Sequence, residues 1–159
     1  MATKHWLGLL FATVIVVVGL KFRGSFETQP ADTVNAEPQK ITMTEAYLNL
    51  PPPGHSTTAA YVQIANRDKS PITITGFGST KASRVELHEH IHADGMMKMR
   101  EVDQLTLAAM QTEVFKPMGY HLMVFGLSDD VVAGQSVEFT ATMASGERIV
   151  FQAQARGLE

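Results

Sequence analysis

"SVEFTATMASGERIVFQAQA", residues 136–155, is the stretch that decides the fold class. Its first half, SVEFTATM, alternates polar and apolar residues, as does the FQAQA that ends its second half, and the segment ASGE between them carries the small and polar residues that are typical of a turn. Alternation with a period near two indicates a half-buried strand, whereas an amphipathic helix repeats about every 3.6 residues. The stretch therefore predicts two antiparallel strands joined by a short turn.

The same period continues from this hairpin toward the N-terminus, and no stretch keeps a helical period. Eight or nine short strands over about 119 residues predict an all-β domain, an antiparallel Greek-key sandwich or barrel. The predicted strands cover residues 41–48, 58–66, 71–78, 83–91, 97–102, 112–115, 120–127, 136–143 and 148–155. The predicted core positions are Tyr61, Val85, Leu87, Leu122, Val124, Phe139 and Val150.

The N-terminal segment, residues 1–23, is predicted to be one hydrophobic helix that directs export. Its uncharged apolar run of fifteen residues, 6–20, suits a signal peptide and falls short of the roughly 20 residues of a spanning helix. A small-x-small cleavage site is not evident just after Leu20, which favours an uncleaved membrane anchor over a cleaved signal. Residues 24–40 are polar, contain two prolines and predict a linker. Residues 41–159 then form the β domain.

Composition excludes several classes of function. A net charge of −3 without a basic cluster gives no footprint for nucleic acid. The absence of cysteine removes disulfides, thiolate zinc sites, thiol catalysis and blue-copper centres. It also removes the attachment point of a lipid anchor.

Histidine and methionine concentrate in two of the predicted strands. In "LHEHIHADGMMKMR", residues 87–100, His88, His90 and His92 alternate and therefore share one face of a strand. His121 and Met123 are likewise one pleat apart, about 6.5–7 Å between their Cα atoms. Three interpretations follow: a three-histidine zinc site, a site for a softer metal, or a surface hairpin without metal.

The residues His88, Met99, His121 and Met123 form the pattern H-x10-M-x21-H-x-M. This pattern, with the stretches AAYVQIAN, RVELHEHI, MKMREVDQLTL and GYHLMVFGL, resembles the periplasmic copper chaperones of the PCuAC type. The resemblance implies a cupredoxin-like fold and one Cu(I) held by these two histidines and two methionines. It also implies delivery of copper toward the dinuclear centre of cytochrome c oxidase, through its subunit II or another copper chaperone. The location would be the bacterial periplasm, either tethered to the inner membrane or released after signal cleavage.

This set of ligands is also chemically reasonable for Cu(I). Imidazole and thioether are neutral, and soft thioether sulfur selects Cu(I) over zinc and hard cations. Methionine needs no deprotonation, so only the histidines make the affinity depend on pH. The role of a carrier requires no catalysis.

The register of the hairpin leaves one assignment open. A two-residue turn at Asp94-Gly95 would pair Met99 with His90 and leave His88 diagonal to it. Local geometry then favours His90, and a longer loop or a bulge would restore His88. The resemblance favours His88, since the family commonly has methionine where this chain has His90. His90 and His92 are auxiliary candidates that would add nitrogen ligands for Cu(II), or they are exposed residues of a polar face. The family's His/Met-rich tail has no counterpart in the final residues QARGLE.

Three other functions compete with the chaperone hypothesis. The first is copper buffering or resistance without a dedicated acceptor. The second is an immunoglobulin-like interaction module that binds no metal. The third is a zinc or Cu(II) hydrolase or oxidase, for which His90 and His92 would matter more than Met99 and Met123.

Overall fold

The alternating segments fold into strands throughout the computed structural model, which describes residues 40–93 and 95–157. Helices long and apolar enough to cross a membrane are not found in this part of the chain. The predicted N-terminal helix and nearly all of the predicted linker lie outside the described residues. The strands are β1 (Ile41–Asn49), β2 (Thr58–Asn66), β3 (Ile72–Ser79), β4 (Arg84–Ala93), β5 (Met96–Glu101), β6 (Leu105–Leu107), β7 (Thr112–Val114), β8 (Tyr120–Phe125), β9 (Ser136–Met143) and β10 (Arg148–Arg156).

Seven of the strands close into a barrel in the order β4, β8, β2, β1, β10, β9, β3, with Phe77 of β3 paired to Val85 of β4. Strands β5, β6 and β7 add to the ring at β4, β3 and β2. The chain crosses the barrel between β2 and β3, which are not neighbours, as Greek-key connections do. The predicted all-β architecture is confirmed.

Two details differ from the sequence-based prediction. The short strand β6 follows β5 directly and carries only three residues, too few for an alternating pattern to be recognised. Strands β1 and β10 pair in parallel, whereas the other neighbours in the ring are antiparallel. Directions cannot alternate all the way around a closed ring of seven strands, so a parallel pair is geometrically required.

The barrel interior is filled by one side of each strand, as the pleat dictates. Six of the seven predicted core residues are buried, and Phe139, Leu122 and Val124 are wholly inaccessible. Val150 is the exception, because it is 55% exposed while Phe151 points inward. The prediction for Val150 was wrong since Ile149, Val150 and Phe151 form a continuous apolar run, which does not reveal which phase of the pleat faces the core.

Substitutions of two valines in the β9–β10 hairpin test which residues of these strands face the core. Val137→Ala removes two methyl groups from a site that is 1% exposed, and we expect the free energy of unfolding to fall by about 2 kcal/mol. Val150→Ala should change it by less than about 0.5 kcal/mol, as is usual at exposed sites. Urea unfolding of both variants measures this difference. Equal losses at the two positions would contradict the observed phase.

Candidate metal centre

The histidines and methionines of the candidate site share the outer face of the barrel wall, opposite the core. Cross-strand partners lie on the same face of a sheet, and His88 is paired with His121 of β8 on one side and with Glu101 of β5 on the other. Likewise, His90 is paired with Met99, and Glu86 with Met123. The partners across β4 and β8 are 33 and 37 positions apart in the chain, and β5 adds Met99 and Glu101 to the same surface.

His121 and Met99 reach toward each other across β4, and His121 Nε2 lies 3.1 Å from Met99 Sδ. The other ring nitrogen, Nδ1, is 3.1 Å from the carbonyl oxygen of Gly119. A carbonyl can only accept, so this hydrogen bond places the proton on Nδ1. His121 is 3% exposed, and burial, followed by the nearby His90 and His88, lowers its pKa, although the Gly119 bond opposes the shift. The neutral ring therefore presents an Nε2 lone pair to the lone pairs of the Met99 sulfur, an arrangement that a shared cation would stabilise.

His88 is oriented by Glu86, whose Oε2 lies 2.8 Å from His88 Nε2. The second carboxylate oxygen of Glu86 pairs with Arg84 Nε at 2.8 Å, which fixes the carboxylate in turn. In the neutral ring, the hydrogen bond to Glu86 leaves the lone pair on Nδ1. That atom is buried and has no hydrogen-bond partner. Metal-binding histidines characteristically donate the opposite N–H to a carboxylate in this way.

His90 lies between these groups. Its Nδ1 is also buried without a hydrogen-bond partner, and its ring centroid is 4.9 Å from that of His121, compared with 6.0 Å for His88. The pairing of His90 with Met99 confirms the register predicted from the Asp94-Gly95 turn, and His88 is diagonal to Met99. Met123 is half-buried one pleat from His121, on the same face and opposite Glu86.

A second set of groups at the site could hold a harder cation. One ligand atom each of Glu86, His88 and Glu101 lies within 4.8 Å of the others. Sequence reasoning did not assign Glu86 and Glu101 a role, although each is two residues from a candidate ligand and so on the same face. The outer face therefore has a nitrogen and a sulfur ligand atom beside Met99, and a nitrogen and oxygen atoms beside Glu101.

Without metal, the protein is expected to become less stable as the pH falls below about 6.5, the ordinary histidine pKa. Because the pKa of His121 is lower in the folded chain, the unfolded chain binds a proton first and gains free energy from it. The free energy of unfolding then decreases until the pH passes the folded pKa. His121→Asn keeps an N–H for Gly119 but cannot titrate, so its decrease should be smaller. Urea unfolding of both chelator-treated proteins at about pH 7.5 and about pH 5.5 measures the difference. Identical decreases would contradict the prediction.

The closed β-barrel, with histidines and methionines paired on one outer face, is similar to solved domains of the PCuAC type. The copper-bound PCuAC domain from PmoF2 superposes with a TM-score of 0.62 at 18% identity, over 75% of this chain and 94% of that one. A solution structure of CuI-DR1885 from Deinococcus radiodurans gives 0.60 at 28% identity, over 72% and 76%. The predicted PCuAC resemblance and cupredoxin-like fold are confirmed.

The chain belongs to the LpqE-like family, described as "Putative lipoprotein LpqE-like", which matches residues 41–155. A protein of Leifsonia xyli subsp. xyli, "Putative lipoprotein Lxx21020", is 27% identical over 141 residues, which cover 87% of this chain and 84% of that protein. The family match therefore covers the strands from the start of β1 to all but the last residue of β10.

Proposed function

We propose that this protein is an extracytoplasmic copper chaperone that holds one Cu(I) and passes it to an acceptor by ligand exchange. The observation that carries the proposal is the approach of His121 Nε2 to Met99 Sδ at 3.1 Å, with the imidazole proton committed to Gly119. The imidazole nitrogen and the thioether sulfur both present lone pairs, and Cu(I) prefers such a pair of ligands. Two of the similar structures contain copper, the PCuAC domain from PmoF2 and, as Cu(I), DR1885.

The proposed ligands are His88 through Nδ1, His121 through Nε2, and Met99 and Met123 through sulfur. The unpartnered Nδ1 of His88 supports the first assignment. Glu86 acts as a positioning residue, because it holds the His88 tautomer that leaves Nδ1 bare. His90 is an auxiliary ligand, since its own Nδ1 is bare and its ring is close to that of His121.

The solvent exposure of the proposed ligands predicts the order in which they release copper. Met99 is 47% exposed on β5, whereas His121 is 3% exposed. Strand β5 ends the sheet path, and among the described residues it pairs with β4 alone. An acceptor can therefore approach β5 and replace the Met99 sulfur first, while His121 is the last ligand to leave. All four ligands are neutral, so transfer changes neither their charge nor their protonation.

The proposed location follows from the relatives and the N-terminal segment. The matching family and the Leifsonia protein are named as lipoproteins. This sequence has no cysteine to carry a lipid, so we propose that residues 1–23 provide the tether to the inner membrane, followed by the linker 24–40 and the domain 41–159. The proposed acceptor is subunit II of cytochrome c oxidase or another copper chaperone in the periplasm.

A competition titration of the full-length protein in detergent micelles, followed by transfer to the soluble copper domain of subunit II, tests the proposal. We expect one equivalent of Cu(I) to bind in competition with a chromophoric Cu(I) chelator, zinc not to displace it, and the acceptor to remove it. Tight binding without transfer would indicate buffering or resistance. A preference for zinc that depends on Glu101 would indicate the nitrogen and oxygen site, and binding of neither metal would indicate an interaction module.

A further inference from the structure

We propose that His92 and Met97 form a second, outer Cu(I) site, through which copper enters and leaves the inner one. His92 Nδ1 lies 2.9 Å from Met97 Sδ, and the two residues are direct partners across β4 and β5. The pair repeats the chemistry of His121 and Met99, one imidazole nitrogen against one thioether sulfur. The inference rests on the proposed function, because a second Cu(I) site has meaning only if the inner site binds Cu(I).

The outer pair continues the same face of the sheet. His92 and Met97 form one cross-strand pair, and His90 and Met99 form the next pair on the same face, two residues further along each strand. The two pairs are therefore about 7 Å apart. The exposure of the histidines increases toward the end of the hairpin: His121 is buried, His90 is half-buried and His92 is exposed. The nitrogen and sulfur atoms of these pairs therefore extend from the buried His121 to the tip of the β4–β5 hairpin.

His90 connects the two sites. Its Nδ1 is buried and has no hydrogen-bond partner, and the residue lies between His121 and His92 on the same face. In each step, a bond from Cu(I) to the next nitrogen or sulfur forms as the bond to the previous one breaks. The metal stays Cu(I), the ligands stay neutral, and no proton or electron has to be supplied.

Met97 has no evident structural task that would explain its position. It is 42% exposed and outside the core, and a flexible thioether at an exposed edge contributes little packing. An N–H···S hydrogen bond would account for the contact with His92 alone, but it predicts no response to copper. Met96, the preceding residue, is 59% exposed on the opposite face and provides a matched control.

The test is an anaerobic titration of the full-length protein in detergent micelles with up to two equivalents of Cu(I), observed by the methionine methyl signals in NMR. We expect the first equivalent to shift the Met99 methyl and the second to shift the Met97 methyl. His92→Asn should abolish the shift of the Met97 methyl, and Met97→Leu, which lacks that methyl, should bind only one equivalent. Both should also slow the release of the first equivalent to a Cu(I) chelator by about tenfold, the size of the smaller effects seen when a partner of a metal ligand is removed. Met96→Leu should do neither.

The outcomes separate the inference from the function on which it rests. If one equivalent binds at Met99 while the Met97 methyl does not move and both variants release copper as the wild type does, the outer site is refuted and the chaperone proposal stands. If the first equivalent does not bind, both are refuted. Met97 and His92 are exposed, so their variants should unfold at the same urea concentration as the wild type, which verifies that the fold is intact.

Discussion

Met99→Leu is expected to lower the affinity for Cu(I) by about 100-fold or more, without affecting the fold. Leucine keeps the approximate volume and polarity of the side chain but removes the sulfur that lies 3.1 Å from His121 Nε2. Loss of a hydrogen-bond partner behind a metal ligand already costs about 10- to 100-fold in affinity, and loss of the ligand itself should cost at least as much. Met99 is 47% exposed on β5, so the substitution leaves the core unchanged. Competition with a chromophoric chelator measures the affinity.

Met96→Leu is the control for this experiment. Met96 lies three residues away on the same strand, is 59% exposed and points to the other face of the sheet, so its replacement should leave the Cu(I) affinity unchanged. If Met99→Leu bound Cu(I) as tightly as Met96→Leu does, the thioether of Met99 would not be a ligand. The proposal that the site binds a soft metal would then lose its best-supported sulfur ligand.

The sequence predicts those parts of the site that depend on local geometry. Alternation places His88, His90 and His92 on one face, and the two-residue turn fixes Met99 opposite His90. Both follow from the period of a strand and from the length of the turn. Such short-range relations can be derived without knowing where the strand lies in the barrel.

The remaining features of the site depend on pairings between distant strands. The register of β4 against β8 places His121 beside His88 and Met123 beside Glu86. Neither strand contains a local signal for that register. The burial of His121, and with it the lowered pKa and the bare Nε2, exists only after β5, β4 and β8 have assembled. The hydrogen bond of Glu86 to His88 lies within β4, and the sequence shows that the two residues share a face but not that their side chains meet.

The core shows the same limit. Phe139 alternates with polar residues in β9, which fixes its phase, whereas Val150 lies in a continuous apolar run. The parallel pairing of β1 with β10 joins the first and last strands and follows from ring closure rather than from either sequence. Period alone therefore predicts that these segments are strands, but not their order or direction.

Two candidate metal sites share one histidine, and only residues that belong to one of them can separate the two. His88 belongs both to the proposed Cu(I) site and to the group with Glu86 and Glu101. Carboxylates favour harder cations, while the nitrogen and sulfur of His121 and Met99 favour Cu(I). Substitution of His88 would weaken both sites, so it cannot separate them. His121 belongs only to the soft site.

His121→Asn is therefore expected to have the largest effect on copper, a loss of Cu(I) affinity of about 1,000-fold, or roughly 4 kcal/mol. Asparagine can still donate to the Gly119 carbonyl, but it has no nitrogen at the position of Nε2. The loss should exceed that of Met99→Leu, because His121 is the buried one of the proposed ligands and an exposed ligand is more readily replaced by water. Zinc binding at Glu86, His88 and Glu101 should be unaffected. The same chelator competition, with zinc binding measured in parallel, provides both values.

His55→Asn is the matched control, since His55 is an exposed histidine in the loop between β1 and β2. Its Cu(I) affinity should equal that of the wild type, and urea unfolding at about pH 7.5 should show both variants folded. Retention of Cu(I) affinity in His121→Asn, together with its loss in Glu101→Gln, would place the metal at the carboxylates. Such a site has no thioether ligand to select Cu(I), so the chaperone proposal would have to be replaced by a function based on a harder ion.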